Sequence, residues 1–164
     1  MPTTFTIRPA SPADDDAIWA MLEPTFRAGE TYPIARDVSR AEAMAYWRTP
    51  RHAVFVAEDA GQIVGTYYLR ANNRGCGAHV ANCGYVVGPG AMRRGVARAM
   101  CEHSLAQARA RGFSAMQFNF VVTSNDRAVR LWQSCGFRIV GTLPGVFAHP
   151  TRGLVDAYVM HRTL

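Results

Sequence analysis

Two hydrophobic periods alternate along this 164-residue chain, and their interleaving restricts its fold more than any other feature. Segments with apolar residues at every second position read as strands; between them lie segments with apolar residues at i, i+3, i+4 and i+7, the stripe of an amphipathic helix. Residues 4–9 (TFTIRP) read as a strand. Ser11-Pro12-Ala13-Asp14 has the form of a helix start, with Pro at the first helical position, ahead of Ile18, Met21, Leu22 and Phe26. Ser39-Arg40-Ala41-Glu42 opens a second helix, and the polar stretch between the two reads as a loop. Residues 52–59 and 62–70 are β-rich runs joined by a short Ala-Gly turn, hence a hairpin, and 79–87 is a third run of this kind. Gly84 in its middle predicts a bulge or a close approach to the backbone.

A long helix is expected over 93–111, with Ala97, Cys101, Leu105 and Ala108 as its stripe, and then a strand over 114–122. The next helix takes Asn125 as N-cap, carries Ala128, Leu131, Trp132 and Cys135 on one face, and ends at Gly136. FRIVGT and VDAYVMHRT read as closing strands, with 143–153 a loop. The order β-α-α-β-β-β-α-β-α-β-β predicts an α+β (mixed α/β) fold, a mixed sheet with helices against it, in one domain over residues 1–164. The stretch that opens the chain lacks a signal-like apolar run, and no segment approaches the ~18 apolar residues of a membrane span. The expectation is a cytoplasmic protein with no membrane partner. Cys76, Cys83, Cys101 and Cys135 contain no C-x-x-C pair, which argues against a metal site or a disulfide framework and for buried small hydrophobes.

The formal charge of +6 comes from 18 basic and 12 acidic residues, and every basic residue is Arg. Such a surface suits nucleic acid, an anionic membrane or an anionic cofactor equally, so position must discriminate. The informative stretch is 85–98, YVVGPGAMRRGVAR, a strand, a glycine-bearing turn and a helix whose first turn holds Arg93, Arg94 and Arg98. Cations at a helix N-terminus are disfavoured by ~0.3–1 kcal/mol each, so an anion should compensate them. Free amides there, made approachable by Gly95 and Ala97, form a phosphate site; the competing reading is a solvated cluster paired with Glu102. The segment lacks the Lys-Ser/Thr of a nucleotide-hydrolysing loop, as well as the third glycine and later acid of a dinucleotide fold.

Met92-Arg93-Arg94-Gly95-Val96-Ala97 resembles the R/Q-x-x-G-x-G/A signature of the GCN5-related N-acetyltransferases (GNAT), with Met at its first position. A second element, Asn125, Ala128, Leu131, Trp132, Gly136 and Phe137, matches that family's N-x-x-A-x-x-L-Y-x-x-x-G-F, with Trp132 in place of Tyr. The resemblance implies a mostly antiparallel twisted sheet, splayed between the fourth and fifth strands, with helices on both faces. It also implies acetyl-CoA as co-substrate with no metal, a small-molecule amine as acceptor and a homodimer. The cofactor residues it implies are the backbone of Tyr85, Val86 and Val87, the turn Met92, Arg93, Arg94 and Gly95, the helix start Val96, Ala97 and Arg98, and Asn125, Ala128 and Trp132.

In that family the amine attacks the thioester directly, which requires near-attack geometry, a route for the ammonium proton and a donor for the oxyanion. Indole is too weak an acid to protonate a leaving thiolate, so either none is needed or a hydroxyl such as Tyr85 serves. Glu30, in the loop between the first two helices, and His79, at a strand start, are candidate bases beside a water chain. Asn82 and Asn119, in neighbouring strands, could grip the substrate together with Glu30. The stretches around them are similar to members acting on small amino-acid-like amines, the azetidine-carboxylate acetyltransferases among them. The alternatives are a CoA-binding sensor without catalysis and a basic nucleic-acid module; the latter is disfavoured because the arginines of 93–111 cluster at its two ends around Glu102.

Overall fold

Strand and helix follow one another as the two periods demand. The computed structural model describes residues 5–164, and Thr4 of the first expected strand lies outside them. β1 (Thr6–Pro9) leads through a 3-10 turn at Pro12–Asp14 into α1 (Asp15–Ala28), and α2 (Arg40–Trp47) follows. β2 (Ala53–Asp59), β3 (Gln62–Ala71) and β4 (Val80–Val87) form a meander, succeeded by α3 (Val96–Ala110), β5 (Ala115–Val122), α4 (Asp126–Ser134), β6 (Arg138–His149) and β7 (Gly153–Thr163). One sheet has the order β1-β2-β3-β4-β5-β7-β6, antiparallel except where β4 and β5 run parallel. No helix among the described residues is long and apolar enough to cross a membrane.

The caps expected at the helix ends are made by side chains. Asp14 accepts from the Ser11 amide at 2.7 Å and takes the Arg8 guanidinium on both oxygens at 2.8 and 2.9 Å. Arg8 holds the buried Asp14 carboxyl well below the usual carboxylate range, chiefly through these hydrogen bonds. Ser39 and Glu42 exchange the two bonds of a capping box at the start of α2. Asn125 Oδ1 accepts from the Ala128 amide at 3.3 Å. At the far end of α4, Gly136 adopts φ +88°, the Phe137 amide reaches Trp132 O, and the Gly136 amide reaches Gln133 O, the paired bonds of a Schellman ending.

Helices cover both faces of the sheet. On one face α1 and α2 bury Ile18, Leu22, Phe26 and Trp47 against Val54, Val56, Tyr68 and Val86. On the other, Val96, Met100, Cys101 and Leu105 of α3 and Trp132 of α4 pack on Phe55, Tyr67 and Leu69. Neighbouring residues of β2 and β3 therefore serve opposite cores, which is why these strands are apolar at consecutive positions.

Two expectations are corrected, and of the two alternatives for Gly84 one holds. α3 starts at Val96, and residues 93–95 form a turn in which Arg93 (φ +65°) and Gly95 (φ +87°) are left-handed. Residues 143–153 are largely strand: β6 runs to His149, and its register shift between Leu143 and Phe147 absorbs Pro144 and Gly145. Gly84 is not at a bulge, since β3 and β4 pair without a break from Gly65–Val87 to Ala71–Ala81. A Cβ at Gly84 would instead meet Tyr68 Cε1 at 2.5 Å, so close approach is the reason for glycine.

Candidate active site

The β4–β5 ladder has only two rungs, Val80–Ala115 and Ala81–Met116. Beyond them the strands part and leave a cleft of about 620 Å³. Which backbone groups face it follows from alternation. The Asn72 amide bonds Val80 O and the Gly88 amide bonds Val64 O, so even-numbered β4 residues turn their amides and carbonyls to β3. His79 O accepts from the Ser114 amide beside β5. Cys83, Tyr85 and Val87 thus present their backbone to the gap, while Val86 bonds toward β3 and buries its side chain against α1. Tyr32 Oη already donates to Tyr85 O at 3.0 Å.

At the mouth of the cleft stands the N-terminus of α3. The first intrahelical bond runs from the Ala99 amide to Gly95 O, so the amides of Val96, Ala97 and Arg98 have no helical acceptor. A Cβ built on Gly95 meets nothing within 4 Å, which leaves an open cradle over those amides. Met92, Arg93 and Arg98 line the cleft beside them. Arg94 does not, because it pairs with Asp59 at the end of β2. Arg98 hydrogen-bonds Ser134 Oγ at 2.8 Å and stands 3.8 Å from Glu102, an exposed pair of small energetic weight. The opposite wall includes Asn125, Ala128 and Trp132; Trp132 packs on Tyr85 at 4.9 Å and Phe118 at 5.1 Å, serving the core and the cleft together.

Of the three candidate acid–base residues, none places a titrating atom free in the cleft. His79 is exposed before β4, beside the closed end of the β4–β5 pair, and is absent from the cleft wall. Glu30 lines a separate polar recess of about 210 Å³ that shares only Thr31 and Asn125 with the cleft. The Tyr85 phenol is turned into the α3 packing, 2.7 Å from Ser104 Oγ, and burial holds it well above its usual range. Asn82 and Asn119 do meet in the cleft, both donating to Asn72 Oδ1, at 3.3 and 2.7 Å. No Asp, Glu or His lines it among the described residues. Arg70, next to Asn82, also lines it and was not singled out from the sequence, because one arginine in a strand carries no spacing signal.

Burial pushes the Cys83 thiol up to about 12, consistent with a packed side chain. Cys76 alone of the four cysteines is exposed. Among the described residues no group of three or more His, Cys, Asp or Glu is placed so that it could hold a metal ion.

A sheet parted between its fourth and fifth strands, with bare helix amides at the mouth of the gap, defines the class: an acetyltransferase fold. The Acetyltransferase (GNAT) family profile matches residues 16–137, and the chain belongs to that family as an N-acetyltransferase. It is similar to a GCN5-related N-acetyltransferase from Kribbella flavida, with 42% identity and a TM-score of 0.95 over the whole of both chains. A phosphinothricin acetyltransferase from Sinorhizobium meliloti, in complex with acetyl-CoA, shares the fold at 22% identity and a TM-score of 0.86, covering 98% of this chain and 89% of that one. The N-acetyltransferase aca1 of Schizosaccharomyces pombe is 27% identical over 152 residues, 80% of this chain and 71% of that protein.

Proposed function

We propose that this protein transfers the acetyl group of acetyl-CoA to the amine of a small molecule, an amino acid or close analogue, by direct attack. The observation that carries the reading is the continuity of one cleft from the uncapped amides of α3 to the unpaired edge of β4. The amides of Val96, Ala97 and Arg98, with the guanidinium groups of Arg93 and Arg98, suit a pyrophosphate at the open cradle of Gly95. Cys83 and Val87 offer edge amides and carbonyls to an extended pantetheine arm, as does the Tyr85 amide. Bound acetyl-CoA supplies the activated acyl group.

An amide on the β4 edge is the donor available to an oxyanion. Trp132 forms a wall and gives up no proton. Tyr85, buried and bonded to Ser104, keeps its own. No carboxylate or imidazole lines the wall among the described residues, so the acceptor arrives as the neutral amine or gives its proton to a water chain. A homodimer belongs to this reading; the exposed Val140, Val146 and Leu154 on the β6–β7 hairpin support it, and sedimentation tests it.

The deciding experiment combines calorimetry with acetyl-CoA and amine-dependent release of CoA, read with a thiol reagent. Binding of acetyl-CoA and release with small amines are expected. Tight binding without release across a broad amine panel would replace catalysis with sensing.

A further inference from the structure

Arg70 lies on β3 directly across from Asn82 of β4, on the same face as Tyr68 and Gly84. Arg70 lines the cleft, its Nε is buried with no hydrogen-bond partner, and it forms no ion pair with any carboxylate among the described residues. Leaving a charge in a half-buried setting without a counter-ion is costly, and proteins normally pair it. Its neighbours here are neutral. Asn72 Oδ1 accepts from both Asn82 and Asn119, and Gln117 Nε2 donates to Asn119 Oδ1 at 2.9 Å, which fixes a rack of amides rather than an acid. The other ionisable groups that feel the Arg70 charge are His52, stacked on Tyr68 at 4.0 Å and lowered in pKa chiefly by burial, and the Tyr68 phenol, which burial raises well above its usual range; neither is a carboxylate.

Position along the strand separates this cation from the cofactor's arginines. Asn82 precedes Val87 by five residues, ~17 Å at ~3.3 Å per residue, so Arg70 sits at the end of the cleft away from the mouth of α3. A pyrophosphate seated there is beyond its reach, and the two ends of the cleft require separate anions. Tyr46, Tyr68 and Phe120 also line the cleft and supply aromatic wall.

Resting on the acetyltransferase reading above, we propose that Arg70 is the carboxylate receptor of the acceptor subsite, so that the amine acetylated is that of a small amino or imino acid. The planar fork takes the carboxylate on two oxygens, Asn82 and Asn119 border it, and the amine is carried up the cleft toward the β4 edge beside Tyr85. Amines with a second positive charge and no acid are rejected by the same guanidinium.

The test uses matched pairs, proline, alanine and methionine each beside its carboxamide, titrated calorimetrically into the CoA-saturated protein so that no turnover is needed. Loss of a charge-assisted bidentate contact predicts that the acids bind roughly 10- to 100-fold tighter than the amides. Arg70→Gln should bring that ratio close to one, and Arg70→Lys should retain part of it. The ratio is the readout, so a general weakening does not imitate the effect, and the acid–amide comparison on the unmodified protein stands without any variant. Equal binding of acids and amides, no binding of either, or an Arg70→Gln protein that keeps the preference would overturn the assignment. Acetyl-CoA binding with indiscriminate acetylation of carboxylate-free amines would overturn it alone; failure of acetyl-CoA to bind at all would remove the underlying reading with it.

Discussion

Replacing Gly84 with alanine places one methyl group where the structure has no room for it. The new Cβ would stand 2.5 Å from Tyr68 Cε1, 2.8 Å from Cζ and 2.9 Å from the hydroxyl oxygen. Carbon atoms are comfortable at ~3.5–4.0 Å, so the ring would have to retreat by roughly 1 Å. It has nowhere to go. Tyr68 is 5% exposed, stacked on His52 at 4.0 Å, edge-on to Trp47 at 4.9 Å, and hydrogen-bonded to Tyr46 Oη at 3.1 Å. Overpacking of this kind costs about 1–3 kcal/mol, and loss of the Tyr–Tyr bond adds about 1 kcal/mol. For a chain of this length the melting temperature should fall by roughly 2–4 °C per kcal/mol. Gly90→Ala is the control: its added Cβ meets nothing within 4 Å, and its melting curve should match that of the unmodified protein. Tyr68 lines the cleft at the end proposed for the acceptor, so the KM for the amine should rise more than the affinity for acetyl-CoA changes. A Gly84→Ala protein with an unshifted melting temperature and acceptor KM would refute the packing argument.

Gly95→Glu puts a carboxylate over the uncapped amides of α3 and should lower acetyl-CoA affinity by roughly 100-fold or more, measured by calorimetry; an unchanged affinity would move the phosphate site elsewhere. Glu30→Gln should leave the pH dependence of kcat/KM unaltered, since the carboxylate lies in its own recess, and the rate should climb with pH until the acceptor amine is neutral; a displaced acid limb would restore Glu30 as base. Asp14→Ala should destabilise the fold by about 2 kcal/mol in denaturant titrations at pH 7. The Asp14 carboxyl is depressed when folded, so its contribution is complete above the ordinary carboxylate pKa of ~3.9 and disappears as pH falls through the lower folded value; the variant's deficit should shrink accordingly in acid. A thiol reagent should label one cysteine, Cys76, rapidly in the native protein and all four after denaturation, checked by mass.

Local signals made the frame of the molecule readable: Ser11–Asp14, Ser39–Glu42, Asn125 and Gly136 are short-range devices, and each sits at the element end its chemistry favours. The glycine-bearing stretch ahead of α3 drew attention for the same reason, since glycine and helix-start patterns are contiguous in the chain, although 93–95 are a turn and not helix. What escaped depends on partners distant in sequence. Gly84 owes its identity to Tyr68, sixteen residues earlier in the chain, and the sequence could not choose between a bulge and a close approach. The fate of Tyr85 is decided by Ser104 on α3, which takes its phenol out of the cleft. Glu30 and His79 carried suitable chemistry, but burial and direction belong to the tertiary structure, which leaves both outside the cleft wall. β6 was cut short because Pro144 and Gly145 read as loop, whereas an irregular edge strand accommodates them.

Two rungs of pairing between β4 and β5 mean that the halves of this sheet are fastened at one end only. An extended ligand arm lying in the gap would act as a temporary eighth strand, and the protein should grow stiffer as well as occupied. Amide protons of Cys83, Tyr85 and Val87 should then exchange quickly with solvent in the free protein and slowly in its complex, a protection pattern confined to alternate residues of a single strand.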